Sequence, residues 1–134
     1  MSYYIKTIWG PNGDRYIEGR LIGFPIKCKN VSEKFKNCDG FVIYETGRKE
    51  NGRRGSMAVF AVGEISDDQT NLPENELKWG WHARINIIKS IAPKDGVGVK
   101  RLREFGINQF QIQGGLIPIT KNQFDNIVEE LNTE

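Results

Sequence analysis

The residues of this 134-residue chain that are equipped for chemistry are rings and cations. Trp79 and Trp81 stand two residues apart, so an extended chain projects both to one side. Trp81 is in phase with Ala83 and Ile85 and belongs with a core. Trp79 follows an acidic stretch and is the better stacking surface for a flat ligand. Trp9 ends an apolar segment beside Gly10-Pro11-Asn12-Gly13, where it suits a pocket mouth and simple edge packing equally. Tyr44 closes another apolar run, and its hydroxyl is fit either to read a polar edge or to satisfy a backbone group.

The cations are clustered although the net charge is only +2. Arg48, Lys49, Arg53 and Arg54 share a glycine-containing connection, and Lys94, Lys100, Arg101 and Arg103 form a second group. Glu64, Asp67, Asp68, Glu74 and Glu76 fall in an acidic stretch of their own. Such segregation suits a basic face for a polyanion, with Arg48, Lys49, Arg53, Arg54, Arg84, Lys100 and Arg101 as phosphate contacts. Solvated surface charge explains any one cluster as well, and a cross-strand salt bridge explains Arg84.

No catalytic constellation accompanies these groups. The single histidine, His82, has no cysteine partner in any local signature, and Cys28 and Cys38 lack the spacing of a zinc pair. Reduced thiols are the expected state of both, with a redox pair as the alternative. Phosphate-binding loops and dinucleotide fingerprints are missing, so neither cofactor nor metal is expected.

Composition bounds the rest. With 38% hydrophobic, 27% charged and 10% aromatic residues, the chain has enough apolar area to fold as a single domain over 1–134. No apolar run approaches the roughly 18 residues of a membrane span, and residues 1–10 lack a signal-like apolar region. A cytoplasmic protein with no membrane partner is expected.

Periodicity supplies the elements. Residues 3–9 read as a first strand, 41–44 and 57–65 as a hairpin with a long charged tip at 47–55, and 81–91 as the longest strand. Adjacent Ile87 and Ile88 interrupt alternation and predict a bulge or burial on both faces. Short helices are expected at 30–35, starting at Ser32, and at 99–105, with a short strand at 109–112. Thr120 and Gln123 make a capping box, and Phe124, Ile127, Val128 and Leu131 recur at helical spacing behind it. An α+β domain with a strongly curved or closed sheet follows.

Several pieces, in order, carry a resemblance: Tyr4-Ile5-Lys6-Thr7; Asp39-Gly40-Phe41-Val42-Ile43-Tyr44; the segment GSMAVFAVGEI at 55–65; Lys78-Trp79-Gly80-Trp81; and Gln113-Gly114-Gly115-Leu116-Ile117-Pro118-Ile119 before the last helix. Together they resemble EVE and YTH domains of the PUA-like superfamily. Between residues 10 and 36 the chain departs from that pattern. The resemblance implies a curved β-barrel of about five to six strands with short flanking helices and a C-terminal amphipathic helix. It also implies a pocket for one flipped, often modified, base of RNA or DNA.

On that footing Lys6 and Thr7 line the pocket with Trp9, Tyr44, Trp79 and Trp81, and the expected function is a non-catalytic reader. From the residues alone, Lys6 is an ordinary solvent-facing strand residue. Two alternatives stand beside the reader. One is an ASCH-like small hydrolase of a modified nucleoside, in which Lys6, Thr7, Glu45 or Glu64 builds a polar site marked by a buried lysine and carboxylate. The other is a protein-interaction domain.

Overall fold

The computed structural model describes residues 2–8, 16–17, 21–24, 29–47, 49–50, 53–67, 81–108 and 116–133. In chain order its elements are β1 (Tyr3–Ile8), β2 (Tyr16–Ile17), β3 (Leu21–Phe24), α1 (Lys29–Lys36), β4 (Gly40–Glu45), β5 (Lys49–Glu50), β6 (Arg53–Arg54) and β7 (Ala58–Ile65). They continue with β8 (Trp81–Ser90), a 3-10 turn at Pro93–Asp95, β9 (Val97–Gly98), α2 (Val99–Glu104), β10 (Leu116–Ile119) and α3 (Lys121–Asn132).

Six strands of four residues or more make the body of a mixed sheet, β10-β1-β4-β7-β8-β3, which β2 extends beyond β3 and β9 joins along β7. β1 and β4 pair in parallel from Tyr3↔Gly40 to Ile8↔Glu45. All other ladders are antiparallel, including the separate two-stranded ribbon of β5 and β6. The domain is thus α+β, with a mixed sheet and three helices among the described residues. Among the described residues the two ends of the strand path, β10 and β2, are not paired with each other, so the ladder is open.

β8 is long enough to serve two neighbours along different lengths. Its first half pairs with β3, from Phe24↔Trp81 to Leu21↔Arg84, and its second half with β7, from Ile65↔Ile85 to Ala61↔Ser90. The alternation of buried Ala83 and Ile85 with half-buried Arg84 and exposed Asn86 follows the sequence pattern. The expected irregularity at Ile87-Ile88 is a register shift. Val62 pairs with Lys89 and Gly63 with Ile87, which leaves Ile88 between them and exposed. A second shift, between Ile43 and Tyr44, leaves Phe60 as the extra residue of β7.

Both faces of the sheet are covered, which is why all six residues of β4 are buried and why its sequence is a continuous apolar run. On the inner face Ile8, Phe41, Ile43, Phe60, Ala61 and Ile85 pack with Phe35 of α1, whose ring lies 4.8 Å from that of Phe41. On the outer face Ile5, Val42, Val59 and Val62 pack with Leu102 of α2 and with Ile127 and Leu131 of α3. α1 runs longer than the single turn expected, over Lys29–Lys36, with Ser32 in its middle. Short Leu21–Phe24, interrupted by Gly23 and followed in sequence by Pro25, is a strand that no periodicity announced. The expected strand at 109–112 lies outside the described residues.

The C-terminal capping box forms as its spacing requires: Gln123 N donates to Thr120 Oγ1 at 3.1 Å and Thr120 N to Gln123 Oε1 at 2.9 Å. Gly96 serves a close approach, since a Cβ there would run into the carbonyl of Val59 where β9 meets β7. Replacing Thr120 by Ala should cost about 1 kcal/mol, and Gly96→Ala about 1–3 kcal/mol through overpacking against backbone. Urea denaturation of the two variants checks both values and their order.

Candidate functional site

Strand alternation sorts the polar residues onto the two faces. In β1, Tyr4, Lys6 and Ile8 share one side; in β4, Phe41, Ile43 and Glu45 do. Because Tyr4, Ile8, Phe41 and Ile43 belong to the inner core, Lys6 and Glu45 lie on the inner face. The register sets Lys6 beside Ile43 and Glu45 beside Ile8, so the two polar residues stand diagonally, about 8 Å apart at Cα from strand spacing and rise. Leu116 flanks Lys6 from the other side through β10.

Burial is graded along this face. Phe35, Phe41, Ile43 and Ile22 are 0% exposed, whereas Lys6 (5%), Glu45 (4%), Ile8 (6%) and Phe60 (7%) keep a trace of accessible surface. All eight residues are buried, and the traces of exposure fall toward the end where β1 and β4 finish. Lys6 is therefore not the solvent-facing residue that sequence alone suggests. Its ammonium donates to the carbonyl of Thr7 at 3.2 Å. Among the described residues Ser32 of α1 is the third buried polar residue, and its hydroxyl has no hydrogen-bond partner there.

Glu45 is held in place by the chain that follows it. Its Oε1 accepts the Ser56 backbone N–H at 2.7 Å, a contact across the segment that includes the β5–β6 ribbon, called the arm below. Among the described residues Ser56 is the one hydrogen-bond partner of that carboxylate. Met57, next to the anchor, has a φ of 53°, a left-handed conformation uncommon outside glycine. The arm carries the β5–β6 ribbon, in which Lys49 is opposite Arg54 and Glu50 opposite Arg53. The cationic residues Lys49, Arg53 and Arg54 thus fall between Glu45 and Ser56 in the chain.

Not every expected pocket residue joins Lys6 on the inner face. Thr7 and Tyr44 are paired with each other on the outer face, under α2, and so are separated from Lys6 by the sheet itself. Burial pushes the Tyr44 phenol above its ordinary value, with Arg103 pulling the other way, so the group stays protonated through neutral pH. Trp81 pairs through its backbone with Phe24. Trp9, Trp79 and Arg48 lie outside the described residues.

Of the remaining cations, Arg84 is half-buried in β8 and Lys100 is exposed on α2. Arg101 is committed elsewhere. It donates to Glu104 Oε2 at 2.6 Å and through Nε to Glu130 Oε1 at 2.7 Å, and it lies 4.7 Å over the Phe105 ring. These contacts raise its pKa and tie α2 to α3. Sequence reasoning missed the prominence of Glu45, which it weighed only as part of a hydrolytic site. The available signal was a glutamate closing an otherwise unbroken apolar strand, with an arm long enough to fold back on it.

Among the described residues no group of three or more His, Cys, Asp and Glu is placed to hold a metal ion, and no helix is long and apolar enough to cross a membrane. No protein-family model matches this chain, and no curated protein matches it.

Cys38, between α1 and β4, is a free thiol, and Cys28 lies outside the described residues. Burial pushes the Cys38 thiol up to about 11, Asp39 adds to the rise, and a hydrogen bond from the Gly40 backbone opposes it. A raised folded value stabilises the protein fully below the ordinary thiol pKa, and that contribution is lost as pH climbs through about 11. Iodoacetamide at pH 8 should accordingly label Cys38 far more slowly in folded than in urea-unfolded protein, with the two rates converging above pH 11. Mass spectrometry of the Cys38 peptide provides the readout.

Proposed function

We propose that this chain is a non-catalytic nucleic-acid-binding module that takes one flipped base, of a modified kind, on the inner face where β1 and β4 finish. The observation that carries the reading is the placement of two buried polar residues, Lys6 and Glu45, on one face, the second directly before a cationic segment of the chain. A base removed from its stack exposes a flat apolar body and an edge of donors and acceptors. Phe60 and Ile8 offer apolar contact for the body, and Lys6 and Glu45 suit the edge. Lys49, Arg53 and Arg54 on the arm suit the flanking phosphates, where contacts fix position rather than sequence. Trp79 is the stacking partner by its sequence position.

In this reading the sheet is a PUA-like barrel, related to EVE and YTH domains. The stagger of β8 between β7 and β3 supports it, since strands that serve different neighbours along their length are what a curling sheet requires. A second reading, an ASCH-like hydrolase of a modified nucleoside, draws on the same buried Lys6 and Glu45. Turnover separates the two: the reader leaves 5-methylcytidine and N6-methyladenosine unchanged on prolonged incubation, and the hydrolase converts one of them.

Titration of the protein with short single strands carrying 5-methylcytosine or 6-methyladenine should quench tryptophan fluorescence, with affinity falling steeply as salt rises. Lys6→Met keeps the apolar stem, so the variant should melt no lower than wild type while binding about 1.5–3 kcal/mol more weakly. Trp79→Ala should weaken binding by about 1–3 kcal/mol. Unchanged affinity in both variants would defeat the assignment of this end of the sheet as the binding site.

A further inference from the structure

Resting on that reading, we infer that the phosphate contact of the arm is one register position, Lys49 with Arg54, and that Arg53 is neutralised by Glu50 and takes no part in it. In the β5–β6 ribbon Lys49 is opposite Arg54 and Glu50 opposite Arg53, and residues directly opposite in an antiparallel pair share a face. One face of the ribbon therefore matches cation with anion, and the other sets cation against cation. Like charges directly opposite destabilise a ladder. A phosphodiester bridging Lys49 and Arg54 replaces that repulsion by two charge-assisted contacts.

The sequence supports this register, because the two residues between the strands are Asn51 and Gly52, the dipeptide favoured for a two-residue hairpin connection. Both ends of the arm are pinned where β1 and β4 finish. The Thr46 N–H donates to the Ile8 carbonyl at 2.9 Å, and the Ser56 N–H to Glu45 Oε1 at 2.7 Å. Lys49 follows Thr46 closely and Arg54 precedes Ser56 closely, so chain reach keeps their Cα atoms within about 11 Å and about 7 Å of those two anchors. The cation pair thus lies beside the end of the sheet to which the base is assigned.

The experiment measures, over a range of salt concentrations, the affinity of wild type, Lys49→Gln, Arg54→Gln and Arg53→Gln for one single strand with a central 5-methylcytosine. The three variants change the net charge equally. Lys49→Gln and Arg54→Gln should each bind about tenfold more weakly, with a slope of log affinity against log salt shallower by about 0.7, while Arg53→Gln stays within about twofold of wild type. Lys49→Glu separates binding from structure: it sets opposite charges across the ribbon, so hydrogen exchange of the β5–β6 amides should slow in the free protein while binding is lost.

Equal losses in the three glutamine variants, retained binding in Lys49→Glu, or faster ribbon exchange in Lys49→Glu each overturn the inference and leave the base-binding reading intact. A wild type that does not bind the strand overturns the reading and the inference together.

Discussion

The parallel pairing of Tyr3–Ile8 with Gly40–Glu45 is the constraint on which the rest of the molecule depends. Two neighbouring strands running the same way need a crossover, and the intervening chain supplies it with β2, β3 and α1. Both faces of a central parallel pair must be covered, by α1 on one side and by α2 and α3 on the other. The register also fixes which residues share a face. A slip of β1 by one residue would carry Lys6 to the outer face and bring Ile5 inward, dissolving both cores at once.

That constraint explains how the fold tolerates charge in its interior. A buried carboxylate is costly unless it is hydrogen-bonded, and the Ser56 N–H meets part of that requirement while closing the arm. Lys6, level with Leu116 of β10 and on the same side of β1 as Tyr4 and Ile8, donates to the Thr7 carbonyl. Both lie nearer the end of the parallel pair than fully enclosed Phe41 does.

Local signals were legible in the residues, and non-local ones were not. Thr120 and Gln123 announced the start of α3 because a capping box is a contact over three residues. Ile87-Ile88 announced either a bulge or burial on both faces, because two adjacent apolar residues cannot obey a period of two, and the register shift there is the first of these. The partnership of β1 with β4 involves residues some 37 positions apart, as Tyr3 and Gly40 illustrate, and no pattern within either strand specifies it. For the same reason Lys6 read as solvent-facing: a lone lysine in a short strand is polar by type, and only the covering of both faces reveals its burial. Thr7 and Tyr44 belong to the outer face through the same register. Arg101 counted as a free cation until the approach of α3 brought Glu130 to it.

The central claim is that the ligand enters where Lys6, Ile8, Glu45 and Phe60 meet. Mapping backbone amide shifts of isotopically labelled protein during titration with a short strand containing one 5-methylcytosine tests it most directly. The largest changes should fall on Lys6, Ile8, Glu45, Ser56 and Phe60, with α3 unmoved. Changes confined to the Arg101–Glu130 side of the sheet, or none at saturating strand, would contradict it.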